Sequence, residues 1–282
     1  MKNELALSGE RIENKIYPEL FRNVGMIRGE YLIRELKKNI LLCDSQKYLF
    51  DYLIGICNKY CSEEVWYRFS ELTNSEANCL EGTGEQLDEK HPLFGVRGTR
   101  RLLKYPDEFI AEIDVIREVY KKYQNLSVFF PFINDSTQLE KAIKMLRNNG
   151  FHGKIGTMIE LPSAYLDLDN ILKTDITRIT IGMNDLTSFI YGTVRNSEWH
   201  NMESNIMLRV IKNIHEKAKI YGVDLAIAGY LSRSFIDKMN RLDIKCIIHY
   251  SQIPQIFNKT VAYPEHLKHV KESGRKEVRT DS

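Results

Sequence analysis

Short apolar runs alternate along this chain with longer stretches whose apolar residues recur at helical spacing. The short runs are typical of buried β-strands and the longer stretches of amphipathic helices. Nine runs are strand candidates: Leu5–Ser8, Val24–Ile27, Val65–Phe69, Leu93–Val96, Leu126–Phe132, Ile155–Glu160, Arg178–Gly182, Leu225–Gly229 and Ile244–Tyr250. The predicted helices are Tyr31–Lys59, Pro106–Tyr123, Ser136–Asn148, Ser163–Leu172, Ser204–Tyr221 and Ser232–Arg241. This alternation predicts a mainly parallel sheet covered by helices.

The number of strand candidates is one more than a closed (β/α)₈ barrel contains. We leave out Leu5–Ser8 because no strong helix follows it directly. The prediction is therefore an α/β fold, a single (β/α)₈ TIM barrel over residues 1–271, followed by a polar tail over residues 272–282. A doubly wound open sheet is the alternative, because strand counting alone does not distinguish the two folds.

Composition excludes several classes of protein. The 282 residues are 43% hydrophobic and 28% charged, which suffices for a large core. No apolar run approaches the roughly 18 residues of a membrane span, and the first ten residues do not resemble a secretory signal. With 40 basic and 38 acidic side chains, the net charge of +2 offers no bulk attraction for nucleic acid. Five cysteines without framework spacing favour reduced thiols, so we expect a cytoplasmic protein.

Polar residues stand at the ends of the predicted strands or in the loops that follow them, where TIM barrels carry their chemistry. They are Arg28, Arg68, Arg97, Glu160, Asn184, Asp185 and Arg195. Guanidinium groups match phosphate and carboxylate oxygens, and paired carboxylates suit Mg²⁺. Each residue alone also fits a structural role, as a surface ion pair or a helix cap. Their joint placement is what predicts a site for Mg²⁺ and a small polyanion.

Six segments resemble motifs of the phosphoenolpyruvate (PEP)/pyruvate-binding barrel of the PEP-utilising enzymes. That family includes PEP synthase, pyruvate phosphate dikinase and enzyme I of the sugar phosphotransferase system. The segments are Val24–Glu30, Val65–Asn78, His91–Arg100, Phe130–Phe132, Met158–Ser163 and Ile181–Thr187. The last two, which read Met-Ile-Glu-Leu-Pro-Ser and Ile-Gly-Met-Asn-Asp-Leu-Thr, are the most specific. The resemblance covers residues 24 to about 257.

The resemblance implies a role for each matching residue. Arg28, Arg68 and Arg97 would bind the phosphate and carboxylate oxygens of PEP or pyruvate. Glu160 and Asp185 would hold the Mg²⁺ cofactor. The resemblance also implies a homodimer.

Two further residues are carried over from the same motifs. Asn184 would hydrogen-bond the substrate. Arg195 would lie beside the same pocket, although Val194 replaces the Asp that precedes this arginine in the family.

Two departures from the family bear on function. The family's enzymes carry a phosphorylatable histidine on a separate swivelling domain, and no histidine of this chain lies in a Thr-x-His motif. A separate phosphohistidine protein is therefore the expected partner. The family's acid is a cysteine in a Gly-Ile-Cys-Gly strand end, whereas this chain has Ala228, which would line the substrate pocket without supplying a proton.

Three residues are candidates to replace the missing thiol, and each also has a structural interpretation. Tyr230 follows closely and suits packing or a lid. His249 closes the last predicted strand and would move protons near neutral pH, but it also suits a hydrogen-bonded strand end. Cys79 lies in the long loop after Arg68.

Three functions remain open at this point. The first is a Mg²⁺-dependent phosphotransferase-like enzyme that binds PEP or pyruvate. The second is a 2-oxo acid lyase or aldolase that uses a pyruvate enolate. The third is a non-catalytic protein or a subunit of a split enzyme.

Overall fold

Eight parallel strands form a closed barrel in this computed structural model, which describes residues 3–10, 16–84 and 89–259. The strands are β1 (Glu4–Leu7), β2 (Val24–Arg28), β3 (Val65–Arg68), β4 (Leu126–Phe130), β5 (Ile155–Ile159), β6 (Arg178–Gly182), β7 (Asp224–Ala228) and β8 (Lys245–His249). Each pairs with the next along the chain, and β8 pairs with β1. The predicted TIM barrel is confirmed, and the open sheet is excluded because the two edge strands pair.

Helices follow the strands and cover the outside of the barrel. They are α1 (Ile16–Leu20), α2 (Gly29–Leu36), α3 (Cys43–Lys59), α4 (Asn74–Asn78), α5 (Thr99–Lys104), α6 (Pro106–Lys122), α7 (Ser136–Asn148), α8 (Pro162–Leu166), α9 (Leu168–Ile171), α10 (Met183–Tyr191), α11 (Asn205–Tyr221), α12 (Arg233–Arg241) and α13 (Ile253–Phe257). None of the helices in the described ranges combines the length and the apolar character that crossing a membrane requires.

Local capping explains where several helices begin. Asp135 precedes α7, and its carboxylate accepts a hydrogen bond from the backbone of Gln138. Ser204 and Ser232 cap α11 and α12 in the same way. These side chains satisfy backbone N–H groups that have no partner within the helix, so a polar residue fixes the position at which each of these helices begins.

The inside of the barrel is a separate small core. Along β1, Leu5 and Leu7 pack with the helices, whereas Ala6 belongs to a cluster inside the barrel. That cluster comprises Ala6, Met26, Trp66, Phe129, Met158, Ala226 and Ile247, one from each of seven strands. Since side chains alternate along a strand, residues two positions further on point into the same interior, one layer closer to the strands' carboxyl ends.

One predicted strand does not form, and the apolar run that we left out of the strand count does form one. Leu93–Val96 forms turns rather than a strand, and Phe94 is 67% exposed, packed edge-on against Phe189. The omitted Leu5–Ser8 run overlaps β1, which closes the barrel between β2 and β8. The absence of a strong helix after this run misled the prediction, because the short helix α1 makes the connection.

Helix boundaries also differ from the prediction in two places. The single helix predicted over Tyr31–Lys59 is interrupted between α2 and α3, where Lys37 adopts a left-handed conformation (φ 54°) that ends α2. The helix predicted over Ser163–Leu172 is likewise two short helices, α8 and α9. The predicted polar tail, residues 272–282, lies outside the described residues.

Candidate active site

A polar cavity of about 1250 Å³ opens at the carboxyl ends of the strands. Side-chain alternation along the strands forms its floor. Seven positions lie two residues beyond the interior cluster; one is Pro131, and the other six are Ser8, Arg28, Arg68, Glu160, Ala228 and His249. These six line the cavity, and they are joined by Arg97 and Arg195 from loops and by Asn184 and Asp185 from the first turn of α10. The structure therefore brings together every site residue predicted from the sequence.

Arg28 and Arg68 end the adjacent strands β2 and β3 and share one carboxylate. The Nε of Arg28 lies 3.2 Å from the Oε1 of Glu30, and the same oxygen pairs with Arg68. Arg28 also stacks over the ring of Tyr31 at 4.2 Å. Arg68 is 4% exposed and makes a second ion pair, 2.7 Å long, with Glu71. Buried carboxylates thus hold both guanidinium groups at the cavity.

Arg97 reaches the same cavity from the loop between β3 and β4 rather than from a strand end. Its guanidinium pairs with Glu71, lies 3.4 Å from Asp185, and stacks on the ring of Phe132 at 4.4 Å. The neighbouring Thr99 anchors this turn, since its backbone N–H and hydroxyl both donate to the carbonyl of Pro131. Tertiary hydrogen bonds, not a strand, position Arg97.

Arg195 lies at the outer edge of the cavity. Its guanidinium is 2.7 Å from the Oδ1 of Asp185, and its side chain is 51% exposed. Asn184 lines the cavity at the start of α10, and its backbone carbonyl lies 3.0 Å from the Nε2 of His200. Ala228 lines the cavity at the end of β7.

Three buried carboxylates converge between the arginines. Glu71, Glu160 and Asp185 each place one oxygen within 4.8 Å of the others. Burial, together with repulsion from Glu71 and Asp185, raises the pKa of Glu160 to about 8. Burial opposes ionisation of Asp185 as well, but the charges of Arg195 and Arg97 outweigh it and lower the pKa of that carboxyl. Glu160 therefore keeps its proton to a higher pH than the neighbouring Asp185 does.

The carboxylate cluster fits a divalent cation. Mg²⁺ prefers oxygen ligands and takes one or two carboxylates together with water and substrate oxygens. The backbone N–H of Phe132 donates to the Oε2 of Glu160 at 2.8 Å, which fixes the orientation of that carboxylate. Phe132 adopts a left-handed conformation, with φ 53°, to present this N–H group. Such strain concentrates at functional sites. Glu160, Asp185 and Glu71 are the residues that would hold Mg²⁺.

Sequence reasoning missed two acidic residues of the site. Glu71 joins Arg68 to Arg97, and Glu30 joins Arg28 to Arg68. Both lie within three residues of an arginine that ends a strand, in segments that already resembled the family. An acidic side chain just beyond a strand-end arginine was the available signal.

The three candidate replacements for the missing thiol lie in different places. His249 lines the cavity on β8, the strand next to Ala228. Tyr230 also lines the cavity but is 57% exposed. Cys79 is exposed at the end of α4, donates to the carbonyl of Ser75, and is not among the described residues that line the cavity.

Comparison with protein families decides the relationship. The model of the PEP-binding domain of PEP-utilising enzymes matches residues 13–246. The chain belongs to the PEP-utilising enzyme family. The probable PEP synthase of Pyrococcus abyssi is 27% identical to this chain over 222 residues, which cover 73% of this chain and 27% of that protein. The probable PEP synthase of Staphylothermus marinus is 29% identical over 236 residues, covering 74% and 28%. The chain spans about a quarter of the length of these relatives.

Two solved structures of other proteins share the fold. A HpcH/HpaI aldolase/citrate lyase family protein from Burkholderia cenocepacia has a TM-score of 0.55 at 10% identity, over 99% of this chain and 94% of that one. The citrate lyase beta subunit complexed with oxaloacetate and magnesium, from M. tuberculosis, has a TM-score of 0.53 at 13% identity, over 90% and 94%. At these identities the likeness establishes the fold alone.

Proposed function

We propose that this PEP-utilising domain is a Mg²⁺-dependent enzyme that binds PEP or pyruvate and transfers a phosphoryl group to or from a separate phosphohistidine protein. The observation that carries the proposal is the convergence of Arg28, Arg68 and Arg97 with Glu160 and Asp185 on one cavity. Four arginines and a carboxylate cluster form a site for a small anion with a divalent cation, and a purely structural barrel needs neither.

The arginines would bind and orient the substrate. Arg68 is buried, Arg97 is 12% exposed, and both are held by Glu71, so their guanidinium groups meet an incoming phosphate without reorganising. Phosphoryl transfer requires mainly positioning and neutralisation of charge on the transferred oxygens. The side chain of Arg195, half-exposed at the outer edge of the cavity, would move with the anion as the anion enters the cavity. Asn184 would supply an amide hydrogen bond beside Asp185.

A bound Mg²⁺ would neutralise phosphate charge and polarise a substrate oxygen. The contribution of this chain is to present ionised carboxylates. Asp185 is already ionised because Arg195 and Arg97 lower the pKa of its carboxyl. Glu160, with its pKa raised to about 8, gives up a proton when a cation binds.

A second candidate function is carbon–carbon lyase or aldolase chemistry at the same site. Ala228 favours it, because without a thiol at that position an enolate of pyruvate persists long enough to meet a carbon electrophile. Barrels of the same fold include the aldolase and citrate lyase proteins named above. Both functions use the same anion and cation.

Calorimetric titration of the protein with PEP and with pyruvate, each with and without Mg²⁺, tests the shared part of the proposal. We expect Mg²⁺-dependent binding of both, which Glu160→Gln and Asp185→Asn abolish and which the exposed Glu118→Gln leaves unchanged. Transfer of labelled phosphate from PEP to a phosphohistidine domain would establish phosphotransfer. Release of pyruvate from a longer 2-oxo acid would establish the lyase. Failure to bind either acid contradicts both functions.

A further inference from the structure

His249 ends β8, the strand next to the one that carries Ala228, where the resemblance places the family's proton-donating thiol. Ala228 pairs with Ile247 across β7 and β8, and His249 is two residues beyond Ile247, so its side chain points into the barrel. The cavity is lined by both Ala228 and His249.

Hydrogen bonds indicate which nitrogen of His249 exchanges a proton. The hydroxyl of Ser251 lies 2.7 Å from Nδ1, and the backbone nitrogen of Ser251 lies 3.4 Å from the same atom. The shorter contact suits an Nδ1–H that donates to the Ser251 hydroxyl, so we assign the proton of the neutral ring to Nδ1, which leaves the lone pair of Nε2 to accept a proton. Nε2 lies 3.2 Å from the hydroxyl of Ser8, which directly follows the neighbouring strand β1.

Ser8 also links His249 to a buried carboxyl group, that of Glu10. Ser8 donates its backbone N–H to the Oε2 of Glu10 at 2.5 Å. Glu10 is fully buried, and burial raises the pKa of its carboxyl to about 7 although Tyr250 hydrogen-bonds to it and Arg28 lies nearby. The ring of Tyr250 also packs on that of His249, with centroids 4.2 Å apart. The proposed mechanism of phosphoryl transfer uses none of these residues.

We propose that His249 exchanges a proton with C3 of the bound three-carbon acid, in place of the family's thiol, and that Ser8 and Glu10 position it. This inference rests on the proposed function. Toward pyruvate, the enolate's π electrons form the C3–H bond, the Nε2–H bond of the imidazolium breaks, and the imidazole is left neutral. In the reverse direction, Nε2 removes a C3 proton and the C–H electron pair becomes the enolate double bond.

Exchange of the C3 hydrogens of pyruvate in D₂O, followed by proton NMR, measures this step directly. With Mg²⁺ present, we expect wild-type protein to catalyse exchange and His249→Gln to slow it by about 10²–10⁴-fold, the usual contribution of a positioned acid–base group. Pyruvate affinity should be unchanged in that variant. The matched control is His152→Gln, at an exposed position before β5 and so at the opposite end of the barrel.

Chemical rescue separates proton transfer from a structural role. Added imidazole should restore exchange to His249→Ala, in which the emptied space admits it, and should not affect wild type. Ser8→Ala should slow exchange without changing pyruvate affinity, whereas Ser8→Thr, which keeps the hydroxyl, should restore it.

The outcomes distinguish this inference from the proposed function. If wild-type protein binds pyruvate but catalyses no C3 exchange, or if His249→Gln exchanges as fast as wild type, the role of His249 is wrong while the binding site stands. If wild-type protein binds neither pyruvate nor PEP, the proposed function fails first.

Discussion

Gly182 and Glu160 approach each other so closely that a β-carbon at position 182 would lie 2.6 Å from the Oε1 of Glu160. Gly182 ends β6, and Glu160 directly follows β5, so the two positions are neighbours at the rim of the barrel. The glycine leaves the room that the carboxylate occupies beside Asp185. A flexible side chain accommodates the added atom only by moving, and here the moving group is a proposed metal ligand.

Gly182→Ala should therefore displace the carboxylate of Glu160 and weaken Mg²⁺ binding. We expect a loss of about 10–100-fold, the range found when the groups that orient a metal ligand are removed. Calorimetric titration with Mg²⁺ measures it. Gly55→Ala, on the outer face of α3 with no atom within 4 Å of the new β-carbon, is the control and should stabilise the helix by about 1 kcal/mol. Unchanged Mg²⁺ affinity in Gly182→Ala would contradict the assignment of Glu160.

Arg97→Met should weaken PEP binding while leaving the fold intact. Methionine keeps the apolar contact with Phe132 but removes the guanidinium that would meet the anion. A charged hydrogen bond contributes about 2 kcal/mol, so we expect affinity to fall roughly thirtyfold. Arg97→Lys should recover only part of the loss because an ammonium group lacks the planar fork. Arg22→Met, whose arginine is 73% exposed, is the control. Equal PEP affinity in wild type and Arg97→Met would remove Arg97 from the site.

Glu112 should make the protein less stable as pH rises toward neutrality. Its carboxylate accepts hydrogen bonds from Tyr67 and Ser70, yet burial raises its pKa from 4.5 to about 7. Below pH 4.5 both the folded and the unfolded chain hold this proton. As pH rises to about 7 the unfolded chain releases the proton first, which lowers the free energy of unfolding by about 3 kcal/mol.

Glu112→Gln should remove this pH dependence, because the amide keeps acceptor capacity but does not ionise. Chemical denaturation at a series of pH values from about 4.5 to 7 measures the effect. Wild type should lose about 3 kcal/mol more than Glu112→Gln over that interval. Glu140→Gln, at an exposed position of α7, should follow wild type. Parallel curves for wild type and Glu112→Gln would show that Glu112 keeps its ordinary pKa.

Arg178 and Glu4 form a buried ion pair inside the barrel, toward the amino ends of the strands, with side chains 1% and 2% exposed. Trp66 stacks on the guanidinium at 5.0 Å. Arg178→Met should destabilise the protein by about 3–5 kcal/mol because it leaves the Glu4 charge buried alone. Adding Glu4→Met should restore most of that stability, and neither change should alter PEP affinity. Denaturant titration and calorimetry measure the two effects; additive losses in the double variant would show that the pair is not coupled.

The barrel was predictable from the sequence because most strands carry a short run rich in apolar residues and most long helices carry an apolar stripe. Ser136–Asn148 and Arg178–Gly182 match their predicted bounds. Leu93–Val96 shows the limit of this reasoning: four residues with two large apolar side chains satisfy a strand pattern, yet Phe94 packs on Phe189 at the surface. Composition alone does not say which short run has strand neighbours on both sides.

The candidate site was predictable where a polar residue ends a strand. Arg28, Arg68 and Glu160 line one cavity because each lies two residues beyond an interior position of its own strand. Glu71 and Glu10 were not assigned a role, because their importance depends on which arginine or serine each one meets across the cavity. Sequence spacing contains no such information.

The amino-acid sequence by itself determined the alternation of strands and helices, and it placed basic and acidic side chains after the strands, because local periodicity and strand direction are encoded residue by residue. Only the tertiary structure decided that β1 closes the ring, that Thr99 anchors the Arg97 turn on Pro131, and that His249 meets Ser8 beside Ala228. Those relationships join segments far apart in the chain, and they exist only when all eight strands have paired.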